Sequence, residues 1–98
     1  MKVAIVIVAA CLSFPALADK KLAEKKNCLS CHAVDQKVVG PAFKDVATKY
    51  AGQAGADAML AGKIQKGGVG AWGQIPMPAN DVTPDEAKQL ASWVLTLK

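Results

Sequence analysis

Apolar and polar positions divide the chain into an apolar leader and a set of short amphipathic segments. Behind Met1 and Lys2, Val3 to Leu12 is an almost unbroken apolar run. Ala16-Leu17-Ala18 then supplies the small-x-small pattern of a signal peptidase site. This predicts a secretory signal peptide over 1–18, cleaved after Ala18, and a single domain over 19–98. The run is too short, and too interrupted by Ser13 and Pro15, to leave a membrane span in the mature chain. Val8-Ala9-Ala10-Cys11 offers an alternative, a lipid-modified Cys11. Against it stand the shortness of the preceding run and the apolar residues that continue to Ala18.

Beyond the leader the periodicity is helical. Asp19 is placed to cap a short helix through Lys26. Phe43, Val46, Ala47 and Tyr50 repeat at i, i+3, i+4 and i+7, predicting a helix after Gly40-Pro41 that ends at Gly52. A third helix is expected from about Ala54 to Lys66, with Ala56, Leu60 and Ile64 on one stripe and Gly67-Gly68 as its stop. The last has the clearest start. Thr83-Pro84-Asp85-Glu86 is a capping box with proline at the first helical position. Ala87, Leu90, Val94 and Leu97 form its stripe, with Trp93 beside it. No alternating strand or hairpin pattern is visible, so Gly67 to Val82 reads as a long irregular loop, of the kind that usually carries function.

Composition shows what this pattern lacks. The chain is 98 residues long and 52% hydrophobic but only 5% aromatic, and much of its apolar content lies in the leader. So small a domain rarely stabilises itself by apolar packing alone. Something else must supply the interior. The formal charge is +4 with no arginine, and cleavage would remove Lys2. A nucleic-acid reader without arginine or clustered stacking aromatics is not expected. The mild positive charge suits docking onto an acidic protein.

Cys28-Leu29-Ser30-Cys31-His32 is the C-x-x-C-H pattern of covalent c-type haem attachment. Thiols three positions apart lie on one face of a helical turn. They can both form thioethers with the vinyl groups of one porphyrin, and His32 then lies under the iron as an axial ligand. Other uses fit poorly. A zinc site needs about four ligands, and the mature chain has two cysteines and one histidine. A thioredoxin-like pair wants a βαβ setting, and a Cys28–Cys31 disulfide would close a loop too small to stabilise much. The second axial ligand must be methionine or lysine, because the only histidine is used. Met59 sits within the third predicted helix, where a core role is expected. Met77 lies between Pro76 and Pro78, which stiffen the backbone and present its thioether at a defined height. His/Met ligation raises the reduction potential and leaves no open coordination position.

With these residues in place, the chain resembles a class I cytochrome c, of the short bacterial monohaem type. The resemblance spans the whole mature chain. It rests on Cys28 to His32, Val39-Gly40-Pro41-Ala42, Trp72-Gly73, Ile75-Pro76-Met77-Pro78-Ala79-Asn80 and Leu90-Ala91-Ser92-Trp93-Val94-Leu95. It implies an all-α fold of about four short helices around one covalently attached haem c. It also implies that the Pro41 carbonyl accepts from the second ring nitrogen of His32, fixing its tautomer. Asn80 would donate to the Met77 sulfur, and the Trp72 indole N–H to a haem propionate. Lys63 stands where relatives often have an arginine near the propionates, and lysine cannot make a bidentate fork. Gln74 and Ala79 replace prolines seen in relatives.

The expected function is outer-sphere electron transfer by a soluble, monomeric periplasmic carrier, not substrate turnover. By resemblance, its partners would be nitrite reductase, a terminal oxidase and a quinol–cytochrome c oxidoreductase. Lysines drawn from Lys20, Lys21, Lys25, Lys26, Lys37, Lys44 and Lys63 would steer their acidic surfaces, in small, transient encounters weakened by salt. A haem peroxidase or gas sensor would need Met77 off the iron, and a purely structural module would show no visible spectrum.

Overall fold

The computed structural model describes residues 15–98. The expected leader therefore lies outside the described residues as far as position 14, and Cys11 with it. In chain order the elements are α1 (Pro15–Lys25), a single 3₁₀ turn (Cys28–Ser30), α2 (Phe43–Lys49), α3 (Ala56–Lys66), β1 (Gly68–Gly70), β2 (Gly73–Met77) and α4 (Pro84–Leu95). The four helices are the expected ones, at slightly different boundaries. α1 begins before Asp19, so Asp19 lies inside the helix and does not cap it. Its side chain is buried and accepts a 2.7 Å hydrogen bond from Gln89 Nε2, which fastens α1 to α4.

α4 is the hub, packing against α1, α2 and α3. Its start follows directly from the sequence. Thr83 Oγ1 accepts from the Glu86 amide at 3.1 Å and Glu86 Oε1 accepts from the Thr83 amide at 2.9 Å, with Pro84 opening the helix. Together these satisfy two of the otherwise unpaired donors at a helix start. The same Glu86 carboxylate lies 3.6 Å from Lys26 Nζ at the end of α1. The Thr83 amide, and then the Lys26 charge, hold the Glu86 carboxyl below its ordinary range.

The core is made where these helices cross. Ala23, Phe43, Val46, Tyr50, Leu60, Leu90, Trp93 and Val94 form one buried cluster. Small residues such as Ala61, Ala87 and Ala91 let the backbones approach closely. Phe43 meets Trp93 edge-on at 5.5 Å between ring centroids, a favoured aromatic geometry. Yet no large side chain among the described residues is fully enclosed.

The segment after α3 departs from expectation. It carries a two-stranded antiparallel ribbon, with Gly68 opposite Met77, Gly70 opposite Gly73 and an irregularity between the pairs. The sequence concealed it because the segment is dense in glycine and proline, which are poor strand formers. Gly70 and Gly73, at φ +103° and +115°, make the tight reversal that side chains resist. Val69, Trp72 and Ile75 stand exposed on the ribbon. A two-stranded ribbon is marginal alone, so this one depends on what it lies against.

Candidate haem site

One wall of the site is built by the turn after α1. Asn27 has φ +63°, a left-handed conformation that asparagine tolerates better than most residues. It ends the helix and turns the chain into Cys28–Ser30. The Cys28 carbonyl then accepts from the amides of Cys31 at 3.2 Å and His32 at 3.0 Å. Both cysteines are half-buried and unbonded. Burial pushes the Cys28 thiol pKa up, with Cys31 adding to the effect against the opposing pull of a backbone hydrogen bond.

His32 is fixed on several sides. Its Nδ1 lies 2.8 Å from the Pro41 carbonyl oxygen. A carbonyl can only accept, so Nδ1 carries the proton and Nε2 keeps a free lone pair. The imidazole stacks on Phe43 at 4.9 Å and 23°. Gly40 backs onto the same ring. A Cβ at position 40 would lie 2.5 Å from Cε1 and 2.8 Å from Nδ1 of His32. The loop between is closed by the amides of Val39 and Gly40 donating to the Cys31 carbonyl. Along the sequence Gly40 marks only the approach to α2 and part of the Val39–Ala42 motif; its contact with the His32 ring exists only in the fold.

The facing wall is the ribbon and the segment after it. Met77 ends β2 and is flanked by Pro76 and Pro78. The Asn80 amide does not turn to the methionine sulfur. Its Nδ2 donates to the carbonyls of Ile64 at 2.9 Å and Pro78 at 3.3 Å, and its backbone N–H also donates to Ile64 at 3.2 Å. Trp72, at the tip of the ribbon, remains 41% exposed. Lys49 holds this tip. Its ammonium sits 4.6 Å from the Trp72 ring centroid and donates to the Ala71 carbonyl at 3.1 Å. Sequence reasoning missed Lys49, because no local pattern links positions 22 residues apart. The Lys63 side chain folds along the start of β1, where a Cβ on Gly68 would lie 3.3 Å from its Nζ.

Between the walls opens a cavity of about 410 Å³. Cys31, Pro41, Lys63, Trp72 and Met77 all line it. Cys28, His32 and Asn80 stand outside that lining, and His32 adjoins it through Gly40 and Pro41, which do line it. The size falls within the range of small-molecule and cofactor pockets. No group of three His, Cys, Asp or Glu side chains able to hold a metal ion occurs among the described residues, so the donors do not suit zinc. They do suit a porphyrin: two adjacent thiols, one imidazole nitrogen kept free, a proline-held thioether and apolar walls.

A four-helix scaffold that holds such a cavity between the 31–41 loop and the ribbon, with C-x-x-C-H at its edge, defines a small haem-carrying electron-transfer protein. The sequence pattern of cytochrome c matches residues 18–98, and the chain belongs to that family. It is 60% identical to cytochrome c-551 of Pseudomonas aeruginosa over 77 residues, covering 79% of this chain and 74% of that protein. It is 58% identical to cytochrome c-552 of Nitrosomonas europaea over 84 residues, covering 85% and 82%. The crystal structure of wild-type Nitrosomonas europaea cytochrome c552 superposes with a TM-score of 0.79 at 57% identity, covering 81% of this chain and 99% of that one. The fold is therefore that of a class I cytochrome c. Cys28 and Cys31 bind one haem c covalently, and the protein transfers electrons and is not an enzyme. No helix among the described residues is long and apolar enough to cross a membrane.

Proposed function

We propose that this chain is a soluble, monomeric periplasmic electron carrier whose haem iron is held axially by His32 Nε2 and Met77 sulfur. The observation that carries this reading is the 2.8 Å contact between His32 Nδ1 and the Pro41 carbonyl. It leaves Nε2 as the one free ring nitrogen, and Pro41, which holds the ring, lines the cavity that Met77 also lines. The bound haem supplies a one-electron iron couple. The chain does the rest. Pro41 strengthens His32 as a ligand, Phe43 and Gly40 hold its ring, and the prolines around Met77 limit its movement. Ligands retained in both oxidation states keep reorganisation small.

Trp72 and Lys63 would meet the propionates, a role supported by their both lining the cavity. The exposed lysines, Lys20, Lys21 and Lys25 of α1 among them, steer acidic partners toward the haem edge near Cys28. The family resemblance supports nitrite reductase, a terminal oxidase and a quinol–cytochrome c oxidoreductase as partners. The apolar leader supports export, with cleavage after Ala18.

Absorption spectroscopy tests the ligation. The oxidised protein should show the weak near-red sulfur-to-iron band, and the reduced protein should resist carbon monoxide. Met77→Ala should keep the haem, lose the band and lower the potential. An unchanged potential would show that another residue ligates the iron. N-terminal sequencing of periplasmic protein should begin at Asp19.

A further inference from the structure

The C-terminal end of α3 touches the methionine segment at several separate points. Gly68, two residues past the end of the helix, pairs with Met77 in the ribbon. The Ile64 carbonyl, in the last turn of α3, accepts both the backbone N–H and the side-chain amide of Asn80, at 3.2 and 2.9 Å. Gly67 lies between these two anchors. A Cβ there would collide with the Met77 carbonyl oxygen, and would lie 2.9 Å from the Ala79 amide nitrogen and 3.0 Å from the Pro78 carbonyl carbon. All three are backbone atoms and cannot swing aside like a side-chain end. Gly67 itself sits at φ +78°, ψ −177°, a conformation reached essentially only by glycine. Its own N–H is spent on the Lys63 carbonyl at 2.7 Å.

We infer that Gly67 is a positioning residue for Met77: with Ile64 and Asn80 it makes the end of α3 a platform that sets how far the methionine backbone stands from the cavity. The inference rests on the reading of Met77 as an iron ligand. The thioether is carried on a flexible side chain, so its reach is fixed only if its Cα is fixed. Proline stiffness alone does not do this, since Pro76 and Pro78 limit local torsions without saying where the segment sits. The packing of Gly67 against the Met77–Ala79 backbone says where.

The expected behaviour separates positioning from plain stability. Gly55 also has a φ of +78°, at the opposite end of α3, and a Cβ there would meet nothing within 4 Å. Gly55→Ala therefore carries a backbone penalty without the collision. Both variants should lower the melting temperature of the holoprotein. Only Gly67→Ala should also lose most of the near-red sulfur-to-iron band, bind carbon monoxide faster when reduced, and show a lowered potential. A Gly67→Ala holoprotein with a wild-type band and potential would overturn the inference. A wild-type protein without the band would instead overturn the ligation of Met77 by iron. If Gly67→Ala yields too little holoprotein, amide hydrogen exchange in the wild type decides. As urea is raised until the band is lost, the Asn80 amide bonded to Ile64 should lose protection in step with it. Bleaching with that amide still protected would also overturn the platform.

Discussion

The histidine side of the cavity, residues 28–43, is braced by packing, whereas the methionine side, residues 67–80, is braced almost wholly by backbone contacts. On the first side, His32 lies against Phe43, and Phe43 against Trp93 of α4, so the ring inherits the rigidity of the helical core. On the second side, Val69, Trp72 and Ile75 are exposed, and order comes from hydrogen bonds, glycine contacts and one lysine. Packing resists displacement from every direction, because each buried side chain touches several neighbours. A few polar contacts resist only along their own axes. The comparison teaches that the two sides of one site can have very different local stability, with the methionine side first to open.

The largest break removes what both sides enclose. Cys28→Ala with Cys31→Ala should leave a chain that cannot hold haem, and with it the cooperative transition should disappear. Circular dichroism melting checks this, and a cooperative native-like melt of that protein would refute the account of the missing interior. Phe43→Ala strikes the histidine side alone. It removes the contact between His32 and the core, and it should cost about 3–5 kcal/mol, as aromatic truncations in cores do, read as a lower denaturation midpoint.

Lys49→Met strikes the methionine side alone. It keeps the aliphatic stem but loses the cation over Trp72 and the bond to Ala71. A loss of about 0.5–1 kcal/mol is expected, in the range of exposed cation–π contacts. Amide exchange at the ribbon tip should rise, and Lys49→Arg should restore much of the protection. Equal destabilisation by the Phe43 and Lys49 changes would erase the contrast between the two walls.

The smallest effect concerns Glu86, which belongs to neither wall. Its folded pKa is lowered by the Thr83 amide and then by Lys26. The stability it contributes is thus present above the ordinary glutamate range and is lost as pH falls through its lowered folded value. Glu86→Gln should be less stable than the wild type at neutral pH, and its stability should fall less on acidification. Urea midpoints at neutral and acidic pH measure the difference.

The histidine wall was legible for a physical reason: its residues are near neighbours in the chain. The C-x-x-C-H turn, the Gly40-Pro41 turn and the Phe43 stripe act over a few positions, where pattern is informative. The same holds for α4, whose cap is contained in Thr83 to Glu86. The methionine wall was legible only as a stiff, glycine-rich stretch around Met77. Its ribbon was hidden by poor strand formers, and its anchors come from α2 and α3, through Lys49, Ile64 and Gly67. The family resemblance implies that Asn80 donates to the methionine sulfur, whereas in the fold its amide hydrogens go to the Ile64 and Pro78 carbonyls.

What the amino-acid order determined by itself was the chemistry and the need for it. A short chain poor in aromatics requires a filler, and two thiols next to a histidine name a haem. It also determined four helices, because amphipathic periodicity and caps are local properties. Only the tertiary structure decided the ribbon, the contact of Gly40 with the His32 ring, and the seating of the Met77 segment on the end of α3. Those depend on backbone groups meeting across the fold. Every residue carries the same carbonyl and, proline aside, the same N–H, so a sequence does not say which of them will meet.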